Sequence, residues 1–423
     1  MWVNKILKYV LVLFVIVPFS VEGQNLTNSP YTRFGWGELS DNVIGRSQHM
    51  GGVAIGLRSL TQINPTNPAS YSDVESQNFL FDFGVIGQFS NIKSGNNSEH
   101  YKNASINYIA MAFPLSSKIG MSVGLRPFSS IGYSFNMLEI IKQPNGISTG
   151  TIAQETFKGE GGLSQLYVGA AFELMHNLSF GFNVAYLFGS QKNDRMVSFP
   201  YETSINYFTQ EWDVHVNDVR FDLGLQYTVR LSGKDNLTMG VVYAPKKKLN
   251  TKSSANMYSG TTSQDSILLV DRNDKFELPN SYGFGLSYNR NNKLTVGADF
   301  EFQNWKNATY FSKKDTLSNR YKISLGAEYI PSLMTRRFLK SIRYRAGLAY
   351  EHSYVNVNGH SIDAYHATVG LGIPIRNSAS MLNLGFQYIG IPSSKINRIE
   401  ENNYRITLGI IFNERWFRKT VFN

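Results

Sequence analysis

This sequence predicts an all-β fold, a transmembrane antiparallel β-barrel of about fourteen strands closed around an N-terminal plug. Three observations carry that expectation. Segments of roughly ten residues alternate with period two, apolar on one face and polar or glycine on the other, which is the length of a tilted membrane-crossing strand. Short and long connections alternate along the chain. The composition favours strands, with 36 glycines, 24 tyrosines and 28 phenylalanines in 423 residues. A mean hydropathy of −0.23 argues against a bundle of membrane helices.

The first 23 residues read as a secretory leader. Lys5 and Lys8 precede an apolar run from Tyr9 to Phe19, and Val21 and Gly23 give the small-residue spacing for cleavage before Gln24. The run is too short to span a bilayer comfortably. The chain has no cysteine, so disulfides, thiolate zinc sites, cysteine nucleophiles and a cysteine-linked lipid anchor are excluded. The net charge of +10 is read through the compartment. An exported basic protein meets anionic lipid headgroups rather than nucleic acid.

Residues 24–73 form the insert. A lead-in, Ser29-Pro30-Tyr31-Thr32-Arg33-Phe34-Gly35, is followed by Gly45 to Tyr71, GRSQHMGGVAIGLRSLTQINPTNPASY. Its glycines and its Asn64-Pro65 and Asn67-Pro68 steps forbid one regular helix or strand, because the residue before proline is driven to extended backbone. The apolar run Val53, Ile55, Leu57 and Leu60 marks it as folded rather than as a linker.

Residues 74–413 are read as the barrel. Val219, Phe221, Leu223, Leu225, Tyr227, Val229 and Leu231 oppose Arg220, Asp222, Gly224, Gln226, Thr228 and Arg230. The pattern returns at 294–303, 321–329 and 382–388, giving a lipid-facing band and a polar lumen. Short turns fall near 116–118, 175–177, 232–236, 291–292 and 377–380, with a longer one at 331–342. Long polar gaps are expected at 91–102, 136–162, 190–218, 245–280, 304–319, 355–362 and 390–403. Six turns and seven gaps imply an even strand number with both ends in the periplasm. Residues 414–423 are expected as a periplasmic tail bearing Arg415, Arg418 and Lys419.

Three segments break the alternation. Ile106 to Phe113 is apolar on both faces, so Ile109, Met111 and Phe113 are expected to join Leu80 and Ile86 in an apolar path near the first three strands. Pro127 removes a ladder donor in the middle of the third strand, which is tolerated at an edge, bulge or kink. Arg126 beside it is expected on the inner face, placed to hold an acidic headgroup at a lateral gate.

No enzyme chemistry is legible. His352 and His366 fall on opposite phases of their strands, so they and His360 and Asp363 are not expected to converge on a metal. No GxSxG or triad spacing is present. Asp299 and Lys322 read as a wall-bracing pair, and Lys246-Lys247-Lys248 as contacts to lipid phosphates or solvent. No cofactor is implied.

Arg46, Met50-Gly51-Gly52 and Asn67-Pro68-Ala69, shortly before the first strand, resemble the N-terminal hatch motif of the FadL/TodX family of outer-membrane transporters for hydrophobic compounds. The resemblance implies a fourteen-stranded barrel in the bacterial outer membrane, plugged by the hatch, with a kinked third strand opening a lateral gap where Pro127 falls. It implies passive uptake of a hydrophobic small molecule, long-chain-fatty-acid-like, by a porin-like barrel in contact with outer-membrane lipid and lipopolysaccharide. The charged inner positions Arg126, Arg220, Asp222, Asp299, Glu301, Lys322, Glu328, Arg345 and Glu351 depart from a greasy channel. With the basic tail, they favour the alternative: a non-transporting barrel that docks other outer-membrane or periplasmic proteins in a secretion or assembly complex.

Overall fold

The computed structural model describes residues 26–415, apart from 143–147, 203–205, 260–265, 334, 336, 358, 376–378 and 395–397. The leader, its cleavage point and the tail residues Arg418 and Lys419 lie outside the described residues. Fourteen antiparallel strands close into a barrel. They are β1 (Asn78–Ser94), β2 (Asn97–Pro114), β3 (Ile119–Lys142), β4 (Ser148–Met175), β5 (Leu178–Ser198), β6 (Phe208–Ser232) and β7 (Asp235–Ala244). The second half comprises β8 (Ser281–Arg290), β9 (Leu294–Gln303), β10 (Arg320–Tyr329), β11 (Arg343–Val357), β12 (His360–Pro374), β13 (Met381–Ile391) and β14 (Ile399–Arg415). The wall closes where β14 pairs with β1, from Arg415↔Asn78 to Ile399↔Ser94.

The alternation sets the two faces. Phe221, Leu223, Leu225, Val296, Phe300, Ile323 and Leu325 are exposed on the outside, while Gly224, Gln226, Asp299, Lys322 and Ser324 are buried inside. Outward aromatics cluster toward both ends. Phe79 stacks on Phe113 near the short turns, and Tyr350–Tyr365 and Tyr388–Tyr404 pair toward the long loops, each at 5.4 Å. Such girdles sit where a barrel crosses the lipid headgroups. The short turns use left-handed residues, Asn177 and the pair Asn291-Asn292 among them.

Several of the expected long gaps are instead strand. β1 and β2 run on to Ser94 and Asn97, and β5 and β6 to Ser198 and Phe208. Beyond the lipid both faces meet water, so apolar alternation fades while the hydrogen-bond ladder continues. Above the short β7, the outer half of β6 pairs instead with Thr251–Ser259, which pairs in turn with Ser266–Arg272.

Inside, residues 26–77 fill the barrel as short turns and one two-residue strand, Glu38–Leu39, rather than as one regular helix or strand. Three 3-10 turns, Pro30–Arg33, Gly45–His49 and Pro68–Asp73, carry it, and the proline of the first and third follows a capping Ser29 or Asn67. Val53, Ile55 and Leu57 are buried as expected of a folded insert, but Leu60 is 56% exposed.

Candidate functional site

The N-terminal segment is bound to the wall at the level of backbone. A Cβ on Gly240 would stand 2.1 Å from the Ile55 carbonyl oxygen, on Gly326 2.1 Å from that of Met50, and on Gly120 1.9 Å from that of Tyr71. Gly181, Gly224 and Gly347 face Pro68, Asn67 and Gly51 just as closely. The inward glycines of the alternating strands are therefore slots for this segment, since any side chain there would displace it. The inward polar residues serve the same surface. Asp299 accepts from Ala54 N at 2.6 Å and Ile55 N at 2.7 Å. Gln226 Nε2 donates to Ile55 O at 2.8 Å, Ser287 Oγ to Gly56 O at 2.6 Å, and Gly51 N donates to Thr368 Oγ1 at 2.8 Å.

The expected motif residues occupy these anchor points. Gly51 and Gly52 have φ of +68° and +89°, which only glycine adopts without strain. The Asn67 side chain accepts from Ala69 N at 3.1 Å and donates to Ile55 O at 2.9 Å and Leu225 O at 3.2 Å. Arg46 reaches Glu328 at 3.4 Å, which Arg345 also holds at 2.7 Å.

Above this layer lies a charged belt that sequence reasoning only half found. Asp41 accepts Lys322 Nζ at 2.5 Å, and Arg320 binds Glu351 at 2.7 Å. The expected Asp299–Lys322 pair does not form, because Asp299 is committed to backbone amides and Lys322 to Asp41. Glu38 takes Arg405, and Ser29 donates to Glu401 at 2.5 Å. Asp41, Glu38 and Ser29 come from the stretch ahead of Gly45, which has no periodicity to place them. Above the belt, Trp36, Phe276, Trp305, Tyr354, Leu163 and Leu187 form a solid aromatic and aliphatic core within the outer lobe.

The wall opens between β2 and β3. β2 pairs with β3 only from Ile109↔Leu125 to Pro114↔Gly120. Beyond Leu125, β3 turns away at Arg126-Pro127, with a bulge against β4 between Pro127 and Ser129. The N-terminal segment takes the vacated place. Glu38 and Leu39 pair with Ser130 and Ser129, Ser40 N donates to Phe128 O, and Thr32 Oγ1 lies against Gly132. Gly161 and Gly162 in β4 and Gly189 in β5, all with positive φ, back this fold in the wall.

Arg126 lies at the gap with its Nε buried and without a hydrogen-bond partner, and its other contacts run to the N-terminal segment and to Tyr167. Its Nη1 donates to Asn42 O at 2.5 Å and the guanidinium rests over the Tyr167 ring, so it ties the segment to the wall. The expected apolar path is divided. Leu80 and Ile86 are buried inside, but Ile109, Met111 and Phe113 face outward. A bulge between Gly84 and Val85 inserts Asn107 into β2 and swaps its faces, so Tyr108, Ala110 and Ala112 point in, while Ile106 is 48% and Met111 38% exposed.

One further expectation is corrected by contacts. Lys246 binds Glu277 at 2.9 Å and Lys247 binds Asp218 at 3.1 Å, so this run braces the outer loops rather than meeting lipid. Burial opposes the charged form of Glu277, yet Lys246 and the side-chain and backbone donors of Thr309 outweigh it and hold its carboxyl below the ordinary range. His352 turns to Asp363 at 2.7 Å, while His366 lies nearer Glu351, so the two histidines do not meet.

The cavities rank these places. Three inside the belt hold about 30, 60 and 100 Å³, below what a small-molecule site needs. The gap between β2 and β3 opens into 490 Å³, lined by Leu26, Ile86, Asn107, Arg126 and Pro127 among others.

The comparisons agree on the architecture. A family model described as BamG matches residues 5–423. A Pseudomonas aeruginosa FadL homologue superposes with a TM-score of 0.62 at 12% identity, over 89% of this chain and 99% of that one. The Pseudomonas putida toluene transporter TodX gives 0.56 at 16% identity, over 90% and 100%, and the Ralstonia pickettii toluene transporter TbuX 0.56 at 14%, over 89% and 99%. No curated protein sequence matches the chain. The fold is thus that of the FadL-like outer-membrane barrels.

Proposed function

The chain belongs to the BamG family, and from that premise we propose that it acts sideways, at the gap between β2 and β3, rather than along its axis. The observation that carries this reading is the filled lumen. Large buried apolar side chains each contribute about 1.5–3 kcal/mol, so parting Trp36, Phe276, Trp305 and Tyr354 costs on the order of 10 kcal/mol. A passive channel has no energy source to offset that. Below the core, the charged belt and the glycine slots hold the segment at many further points. The reading this supports best is a non-conducting outer-membrane barrel that docks partner proteins in a secretion or assembly complex.

A second reading is favoured by the 490 Å³ cavity and by the likeness to channels for hydrophobic compounds. Here a hydrophobic small molecule of long-chain-fatty-acid type lodges at the gap and passes between the membrane and the N-terminal segment, which acts as a hatch. Ile86 and Leu125 would cover it from the wall. Purification from native membranes in mild detergent separates the two. A stoichiometric protein partner, with uptake of labelled long-chain fatty acid unchanged on deletion, supports docking. Bound lipid-like density and lost uptake support the channel.

A further inference from the structure

The connection between β10 and β11 is longer than closing a hairpin requires. It runs over residues 330–342, whereas the adjacent β8–β9 turn needs only 291–293. The extra length is a built element. Ile330 and Ile342 are buried at its base, Ile330 N donates to Lys293 O at 2.7 Å, and Ser332 N donates to Lys340 O at 3.0 Å. Phe338–Ser341 forms one helical turn within it.

This connection folds outward. Tyr329 and Tyr344 stand opposite each other where β10 and β11 end their pairing, both exposed on the lipid-facing side. Tyr344 Oη donates to Leu339 O at 3.0 Å. The helical turn therefore hangs on the outside of the wall, at the level of the outward aromatics that mark the headgroups at this end, and not across the lumen. Leu333, Phe338 and Leu339 are exposed on it, the last two by 60% and 68%, with Arg337 and Lys340 exposed beside them. Residues 331–342 contain neither Asp nor Glu. Among the described residues Arg337 and Lys340 have no acidic partner, whereas Arg343 turns in to Glu328 at 3.8 Å.

We propose that this connection is an interfacial anchor for the leaflet at the short-turn end of the barrel. Leu333, Phe338 and Leu339 seat among acyl chains, and Arg337 and Lys340 rest on the phosphates of anionic phospholipid. The inference stands apart from both readings of the gap. Continuity is what favours lipid over protein: the apolar residues extend the outward face that Leu325, Leu348 and Tyr329 make on the same two strands. Large apolar groups interleaved with basic ones are the pattern of a segment lying in the interface. Each basic side chain near an anionic surface raises affinity about fivefold.

The chain has no cysteine, so a single fluorophore can be placed by Leu339→Cys in the full-length protein. The measurement is quenching by spin-labelled lipid in nanodiscs of phosphatidylcholine with and without phosphatidylglycerol. Quenching at 339 should exceed that of a Lys234→Cys probe in the β6–β7 turn several-fold. Phosphatidylglycerol should strengthen it further, and Arg337→Gln combined with Lys340→Gln should abolish that gain. Equal quenching at the two positions overturns the anchor. A response indifferent to phosphatidylglycerol, or to the double substitution, overturns it as an anionic-lipid site. In native membranes a photoreactive residue at Phe338 should give lipid adducts; a protein adduct in their place overturns the proposal and assigns the surface to a partner.

Discussion

The Cα of Gly240 faces the carbonyl oxygen of Ile55 with no room between them, since a Cβ would lie 2.1 Å away. Wall and N-terminal segment are thus fitted backbone to backbone, and the absence of a side chain is what permits it. Gly240→Val should push the segment off its seat. Overpacking of this kind costs about 1–3 kcal/mol or more. The check is protease cleavage within residues 45–71 of the folded barrel, which should rise sharply. Unchanged protection would mean that the segment is not seated there.

Asn67 is the polar counterpart. Asn67→Ala removes a turn cap and two donors to buried carbonyls, at about 1–3 kcal/mol for the groups left unpaired. Cells carrying the variant at normal barrel level should admit more dye or antibiotic. A parental leak rate would count against a sealing role for this segment.

At the gap, Arg126→Ala should loosen the segment through Asn42 and Tyr167, lowering heat resistance in detergent by about 1–3 kcal/mol. Acidic and neutral ligands should be affected alike. A selective loss for acidic ligands would restore a headgroup role for the guanidinium. Pro127→Val returns a ladder donor and should let β3 continue beside β2, so partner recovery in mild detergent should fall several-fold with barrel level unchanged.

Outside the membrane, Glu277 links Lys246 to Thr309 beside the aromatic core. Its carboxyl is held below the ordinary range, so the stability it adds is present above the unfolded carboxylate value, near 4.3, and is lost as pH falls through the lower folded value. Tryptophan fluorescence from Trp36 and Trp305 should therefore report loosening of the outer lobe in acid. Glu277→Gln should flatten that dependence; an identical acid transition in the variant would assign it to other groups.

Period-two alternation determined by itself which residues of the barrel strands other than β2 face lipid, because one apolar face is needed at every rung of a membrane-crossing wall. Turn lengths then determined the strand number, and Asn-Pro steps the irregular build of residues 45–71. Tertiary structure alone decided what the inner face meets. Glycine, Asp299 and Gln226 read as a watery lumen, yet they receive the backbone of a segment whose own pattern carries no period. It also decided the faces of β2, where one inserted residue, Asn107, turned Ile109, Met111 and Phe113 toward lipid, a change no local propensity marks. Pro127 signalled a break, but only the packing of Glu38, Leu39 and Thr32 showed which of the two parted strands the N-terminal segment covers. Backbone hydrogen bonding is settled by whatever lies beside a strand, and for the residues ahead of Gly45 that neighbour is far away in sequence.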